Sequence, residues 1–285
     1  MTSIELTPAE RAQVDAANVA DGPAVVLVHD LWTLAAIWDP WLEPLAQASL
    51  TPVAAAWPRE PDSVATALRR PDRLAGVGLG EATGRITALI ALLREPPLVV
   101  GHCFGGLIAQ KLAGRGLARA TVAICPAPMK GSIQAPETML VAAAPVIGDL
   151  ANRDRAIRFT FPEYRYAWAS TVPREEAHEL WETTHVPGSG RAVFEVSRSR
   201  FERRSPASVD TVNPERGPML VVGAGHDHLV PPEMAASTFR IQSRNPSPTD
   251  FVEFHDRGHS LTHDSRWPEV ADRVIDYLAR HRRPA

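Results

Sequence analysis

Six short β-prone stretches, separated by segments of helical periodicity, constrain the fold of this chain more than any other feature. They fall at residues 24–28, 51–56, 97–102, 118–125, 218–223 and 250–254. Ala24-Val25-Val26-Leu27-Val28 is a continuous apolar run, the pattern of a strand buried on both faces of a parallel sheet. Helical patterns follow over 40–49, 84–94, just beyond residue 103, 231–243 and 267–280. Strands alternating with helices imply an α/β fold, a mostly parallel central sheet with helices on both faces. Ligands in such sheets bind at the carboxyl ends of the strands.

Two regions depart from the alternation. Thr7-Pro8-Ala9-Glu10 reads as a helix start, with a capping Thr, Pro at the first helical position and Glu closing the box. That helix is expected to run to about residue 20 and stop at Asp21-Gly22-Pro23. Residues 127–213 show little strand pattern and many prolines. Short amphipathic pieces lie there near 137–146, 151–159, 164–170, 174–184 and 190–201. The expected organisation is a core of 1–126 and 214–285, with 127–213 inserted between strands.

Composition narrows the function classes. A net charge of −3 gives no support for a nucleic-acid partner or an anionic membrane surface. No apolar run approaches the roughly 18 residues of a membrane span. The first residues lack a basic region followed by an apolar one, so no secretory signal is visible. Two cysteines, Cys103 and Cys125, do not make a disulfide framework, and a free thiol fits a reducing, cytoplasmic setting. A homodimer is left open.

The chemistry concentrates at Gly101-His102-Cys103-Phe104-Gly105. A strand reversing sharply into a helix leaves no room for side chains beside the turn, so glycines flank its apex. The apex residue is then strained with its side chain exposed, and the helix that follows aims its unpaired N–H groups and positive dipole end at it. A lone cysteine beside an apolar strand is more often a small buried hydrophobe. Here two partners follow in order. Asp227 lies after the 218–223 strand in Gly225-His226-Asp227-His228-Leu229-Val230-Pro231, and His259 after the 250–254 strand in Arg257-Gly258-His259-Ser260.

With its elbow, chain order and acid and histidine contexts, the sequence resembles the α/β-hydrolase family, with Cys where the nucleophile elbow usually carries Ser. The resemblance implies a Cys103–His259–Asp227 triad and an inserted helical cap over the site. It implies an oxyanion hole from the backbone N–H groups of Phe104 and Leu31, the latter from His29-Asp30-Leu31-Trp32, where the family has His-Gly-x. Asp30 is the departure from that pattern. A thiolate–imidazolium pair of Cys103 and His259 is expected from the helix dipole and the neighbouring imidazole. Trp32, Tyr164, Trp168 and Trp181 are the candidate pocket residues. Asp256 is the competing acid, and His102 is read as structural because a residue before the apex points away from it. Cys125 is read as core. No metal-ligand spacing is present and no cofactor is expected.

The implied reaction is hydrolysis of an ester, thioester or lactone of a small organic acid through an acyl-enzyme. The alternatives are acyl transfer or cyclisation by the same triad, and a non-catalytic ligand-binding protein on the same fold. Asp30 is the best support for the last.

Overall fold

The computed structural model describes residues 6–282. Helix α1 (Pro8–Val19) carries the expected capping box, Thr7 and Glu10 each accepting the other's backbone N–H. Strand β1 (Ala24–Val28), helix α2 (Asp39–Gln47) and strand β2 (Thr51–Ala55) follow. Next come the short α3 (Val64–Arg69), then α4 (Leu79–Ile90), β3 (Leu98–His102), α5 (Phe104–Ala113) and β4 (Ala120–Ile124). After the stretch between them, β7 (Met219–Ala224), α10 (Pro232–Gln242), β8 (Thr249–Phe254) and α11 (Trp267–Arg280) complete the alternation.

These strands form one sheet in the order β2-β1-β3-β4-β7-β8, and every described pairing in it is parallel. All carboxyl ends therefore lie along one edge. Strands β3, β4 and β7 are buried along their whole length, which is why their sequences carry almost no polar residues. Edge strand β2 is covered by α1. Gln13 Oε1 accepts the N–H of Ala54 at 2.9 Å, and Glu10 Oε1 that of Ala56 at 3.0 Å.

Helix α4 starts at Leu79, five residues before the expected position. Two glycines in its first turns, Gly80 and Gly84, hide the start from propensity. The structure supplies a distant partner instead, for Glu195 Oε2 accepts the Leu79 N–H at 2.7 Å.

Between β4 and β7 lie α6 (Glu137–Ile147), α7 (Phe161–Ala167), α8 (Arg174–Thr183) and α9 (Gly190–Ser197). A two-stranded antiparallel pair, β5 (Ala156–Ile157) with β6 (Gly188–Ser189), ties the segment before α7 to the one before α9. With only two residues each, these strands carry no readable alternation. The amphipathic piece read at 151–159 is a 3-10 turn over Leu150–Asp154 followed by β5.

Candidate active site

Cys103 occupies the strand-to-helix turn with φ 53° and ψ −116°, a region a non-glycine residue enters only when its surroundings hold it there. The flanking glycines show why. A Cβ on Gly105 would lie 2.1 Å from the Val28 carbonyl oxygen of β1, and one on Gly101 would lie 2.1 Å from the Gly105 carbonyl oxygen. Contacts that short admit only hydrogen, so α5 packs directly on β3 and beside the end of β1. The Phe104 N–H opens the helix beside Cys103 and has no acceptor in its own helix.

The loops after β7 and β8 bring the other two groups over the same edge. Asp227 Oδ1 accepts the N–H groups of Leu229 at 2.8 Å and Val230 at 2.7 Å. Its Oδ2 faces His259 Nδ1 at 2.6 Å. Both side chains are fully buried. The His259 loop is braced from beneath by a buried Arg257–Asp264 ion pair and from above by residues after α7. There Thr171 Oγ1 accepts the Gly258 N–H at 3.0 Å, and the Trp168 carbonyl accepts that of Ser260 at 3.0 Å. Asp256, the competing acid, is exposed and pairs with Arg266 at 2.7 Å. His259 Nε2, the other ring nitrogen, is buried without a hydrogen-bond partner.

Asp30 changes the expected picture. Its side chain is buried and folds back on its own loop, where Oδ1 accepts the Leu31 N–H at 2.6 Å. Oδ2 accepts Trp168 Nε1–H at 3.1 Å. Cys103 Sγ, an Asp30 carboxylate oxygen and a His259 ring nitrogen all lie within 4.8 Å of one another. The Leu31 N–H, expected to receive the substrate oxyanion, is thus engaged by a carboxylate. The loop is held from behind by His29, whose Nδ1 contacts the Asp30 carbonyl at 2.6 Å and whose Nε2 contacts Glu60 at 2.8 Å.

Electrostatics follow from this packing. Burial pushes the Cys103 thiol well above its ordinary range, and the neighbouring Asp30 and Asp227 push it further, against the Phe104 N–H. Burial opposes the His259 imidazolium, yet Asp227 and then Asp30 outweigh it and hold His259 above its ordinary value. The expected thiolate is therefore disfavoured by desolvation of the thiol, while a proton on His259 is favoured by Asp227 and Asp30.

His102 does not point away from the site. Its ring lies tilted against His259 at 4.6 Å between centroids, and burial together with His259 and His263 holds its pKa well below the ordinary value. Cys125, read as core, has φ 39°, and its Sγ lies within 4.8 Å of both Asp227 and His259. Its position at the carboxyl end of β4, next to the elbow strand, was the available signal. The two clusters of metal-ligating atoms among the described residues, Asp30–Cys103–His259 and Cys125–Asp227–His259, are these same groups.

A cavity of about 320 Å³ opens on Cys103 and Phe104, with Trp32 at its inner end. Its walls include Met139, Ile147, Val193, Val230 and Met234, so it is mainly apolar. Tyr164, Trp168 and Trp181, the other candidate pocket residues, are not among its lining. Trp168 packs between Trp32 at 5.1 Å and Phe159 at 4.9 Å and stacks on Tyr164 at 5.7 Å. Trp181 Nε1 is tied to the Phe159 carbonyl at 2.9 Å. Those aromatics are taken up by packing among themselves and against Trp32, and aliphatic residues of α6 and α9 line the cavity instead.

The fold and the elbow define a class. A model of the "Alpha/beta hydrolase family" matches residues 25–273, and the chain belongs to that family. Among solved structures, a monoacylglycerol lipase of Paleococcus ferrophilus is similar at 23% identity and TM-score 0.63, covering 90% of this chain and 94% of the lipase. An extracellular α/β-hydrolase from a Paenibacillus species aligns at 16% identity and TM-score 0.64, over 89% of this chain and 98% of its own. A thermophilic esterase of Thermogutta terrifontis aligns at 15% identity and TM-score 0.66, over 93% and 92%. No curated protein sequence matches the chain. Among the described residues, no helix is long and apolar enough to cross a membrane.

Proposed function

We propose that this protein hydrolyses an ester, thioester or lactone of a small, mainly apolar organic acid through an acyl-enzyme on Cys103. One observation carries the reading. A strained Cys103 lies within 4.8 Å of a nitrogen of His259, which is itself anchored on Asp227, at the inner end of an apolar cavity. The similarity of the fold to a lipase and an esterase is in keeping with it. In this reading 127–213 is the cap that closes the acyl pocket.

His259 takes the thiol proton as Sγ attacks the carbonyl carbon, and Asp227 fixes the tautomer and stabilises the imidazolium. The Phe104 N–H stabilises the oxyanion, a donor of this kind contributing about 3 kcal/mol. The leaving group departs with the proton from His259. Water, activated by the same imidazole, then cleaves the acyl-thioester. None of these steps calls for a cofactor. Binding without turnover is the second reading, favoured by Asp30 on the Leu31 N–H.

Incubation with p-nitrophenyl butyrate and butyryl thioesters separates the two. Intact mass should show a butyryl adduct that Cys103→Ala abolishes, and Asp227→Asn should lower kcat by about 10⁴-fold. Asp256→Asn should leave turnover unchanged. Full turnover in Cys103→Ala, or no adduct at any pH, overturns the covalent reading.

A further inference from the structure

Asp30 is a buried acid with no part in the reaction just described. Its two oxygens accept one backbone and one indole N–H, from Leu31 at 2.6 Å and Trp168 at 3.1 Å. The groups facing it come from several elements. Cys103 and His102 belong to the elbow strand and its turn, and His259 and His263 to the loop after β8. Asp227 lies behind His259, and Tyr164 and His185 pack around Trp168. On its own loop, His29 is paired with Glu60. Of these, His259 shares the nearest cluster with Asp30, and its Nε2 has no partner.

Two negative charges cannot form side by side in a buried site without strong repulsion, since little solvent screens them. An oxyanion on the substrate carbonyl would form beside Asp30, on the N–H that Asp30 covers. We propose that Asp30 is a proton-operated gate on the oxyanion pocket, and that Cys103 is acylated only when Asp30 carries the proton that otherwise rests on His259. The inference builds on the acyl-enzyme reading and specifies how that site is regulated.

The two protonation patterns hold the same number of protons. With Asp30 ionised and His259 protonated, no base is available and an anion fills the oxyanion position. With Asp30 neutral and His259 free, Nε2 accepts the thiol proton as the Sγ–C bond forms and the carbonyl electron pair moves to oxygen. That oxygen accepts from the Phe104 N–H and from the Asp30 O–H. Collapse re-forms the carbonyl and breaks the bond to the leaving group, which takes the proton from His259, while Asp30 keeps its own. Adding a second proton blocks the base and removing the last one restores the anion. Acylation therefore peaks at one shared proton, with limbs that belong to the pair.

The test measures the acylation rate of Cys103 by p-nitrophenyl butyrate, read by intact mass between pH 5 and 9, in wild type, Asp30→Asn, Asp30→Gly and Cys103→Ala. The wild-type profile is expected to be bell-shaped. Asp30→Asn keeps an acceptor for one of the two N–H groups but cannot ionise, so the alkaline limb should vanish and acylation at pH 8 should rise at least tenfold. Asp30→Gly frees the Leu31 N–H and should do the same, a single oxyanion donor being worth about 10²–10³-fold. Folded Asp30→Asn and Asp30→Gly proteins that acylate no faster than wild type at any pH, with Cys103→Ala inert, would overturn the gate and leave the acyl-enzyme standing. A butyryl adduct that persists in Cys103→Ala would overturn both.

Discussion

Replacing Trp168 by Phe tests the link between the inserted stretch and the oxyanion loop. The ring position is kept, since Trp168 sits among Trp32, Phe159 and Tyr164 at 4.9–5.7 Å and a phenyl group still packs there. What is lost is the Nε1–H that Asp30 Oδ2 accepts at 3.1 Å in a buried site. A hydrogen bond to a charged group is worth about 1.5–3 kcal/mol, and one pH unit corresponds to about 1.36 kcal/mol. The donor favours only the ionised form of Asp30. Its removal should therefore raise the share of the one-proton pair in which Asp30 holds the proton, lifting peak acylation by about ten- to hundredfold and moving the acid limb upward by about 1–2 pH units. The same variant should be less stable in urea, and in a cycle with Asp30→Ala the coupling should be about 1.5 kcal/mol or more. Acylation profiles and unfolding curves on four proteins suffice. An unchanged peak rate and acid limb, together with effects that add to within about 0.5 kcal/mol, would show that the indole and the carboxylate do not act on each other.

Two further outcomes follow from burial and charge. Because desolvation and Asp30 hold the Cys103 thiol up, iodoacetamide should alkylate it more slowly than free cysteine at pH 7, and Asp30→Gly should speed that labelling; peptide mapping reads both. Glu10, although opposed by burial, is held below the usual carboxylate range by Arg85, which meets it at 2.7 Å, and by the Thr7 and Ala56 N–H groups. Its stabilisation is present above the unfolded value of about 4.3 and lost as pH falls through the lower folded one. Glu10→Gln should cost about 2 kcal/mol at pH 7, and the difference from wild type in urea should shrink as the pH is taken towards 3. A difference constant over that range would refute the assignment.

How far the sequence could be read depended on how local the determinants are. Strand β1 coincides with its apolar run at 24–28, and α11 with its amphipathic pattern at 267–280, because periodicity and burial agree there. The tight strand-to-helix turn at Cys103 was legible because glycine-only contacts leave a mark in the sequence. Helix α4 was misplaced because its cap comes from Glu195, more than a hundred residues on. Asp30 was visible as a departure, but not what it does. Its orientation rests on Trp168, 138 residues away, and on a loop braced by Glu60. The pocket was assigned to bulky aromatics, whereas these are consumed in packing the inserted stretch and smaller side chains leave the space. His102 was expected to point away from the apex, yet at a turn this tight its ring comes to lie against His259.

Helix α1 has a consequence for how copies of this chain behave towards one another. A six-stranded sheet with an outer parallel strand offers a row of outward N–H groups on which a foreign strand can grow. Gln13 and Glu10 occupy the donors of Ala54 and Ala56 on that outer strand, so the helix works as a selvedge, finishing the weave where it would otherwise unravel into a neighbour. Loosening it, by acid or by trimming, should turn a finished border into a template for intermolecular β-pairing while the strand ends that carry Cys103, Asp227 and His259 are still intact.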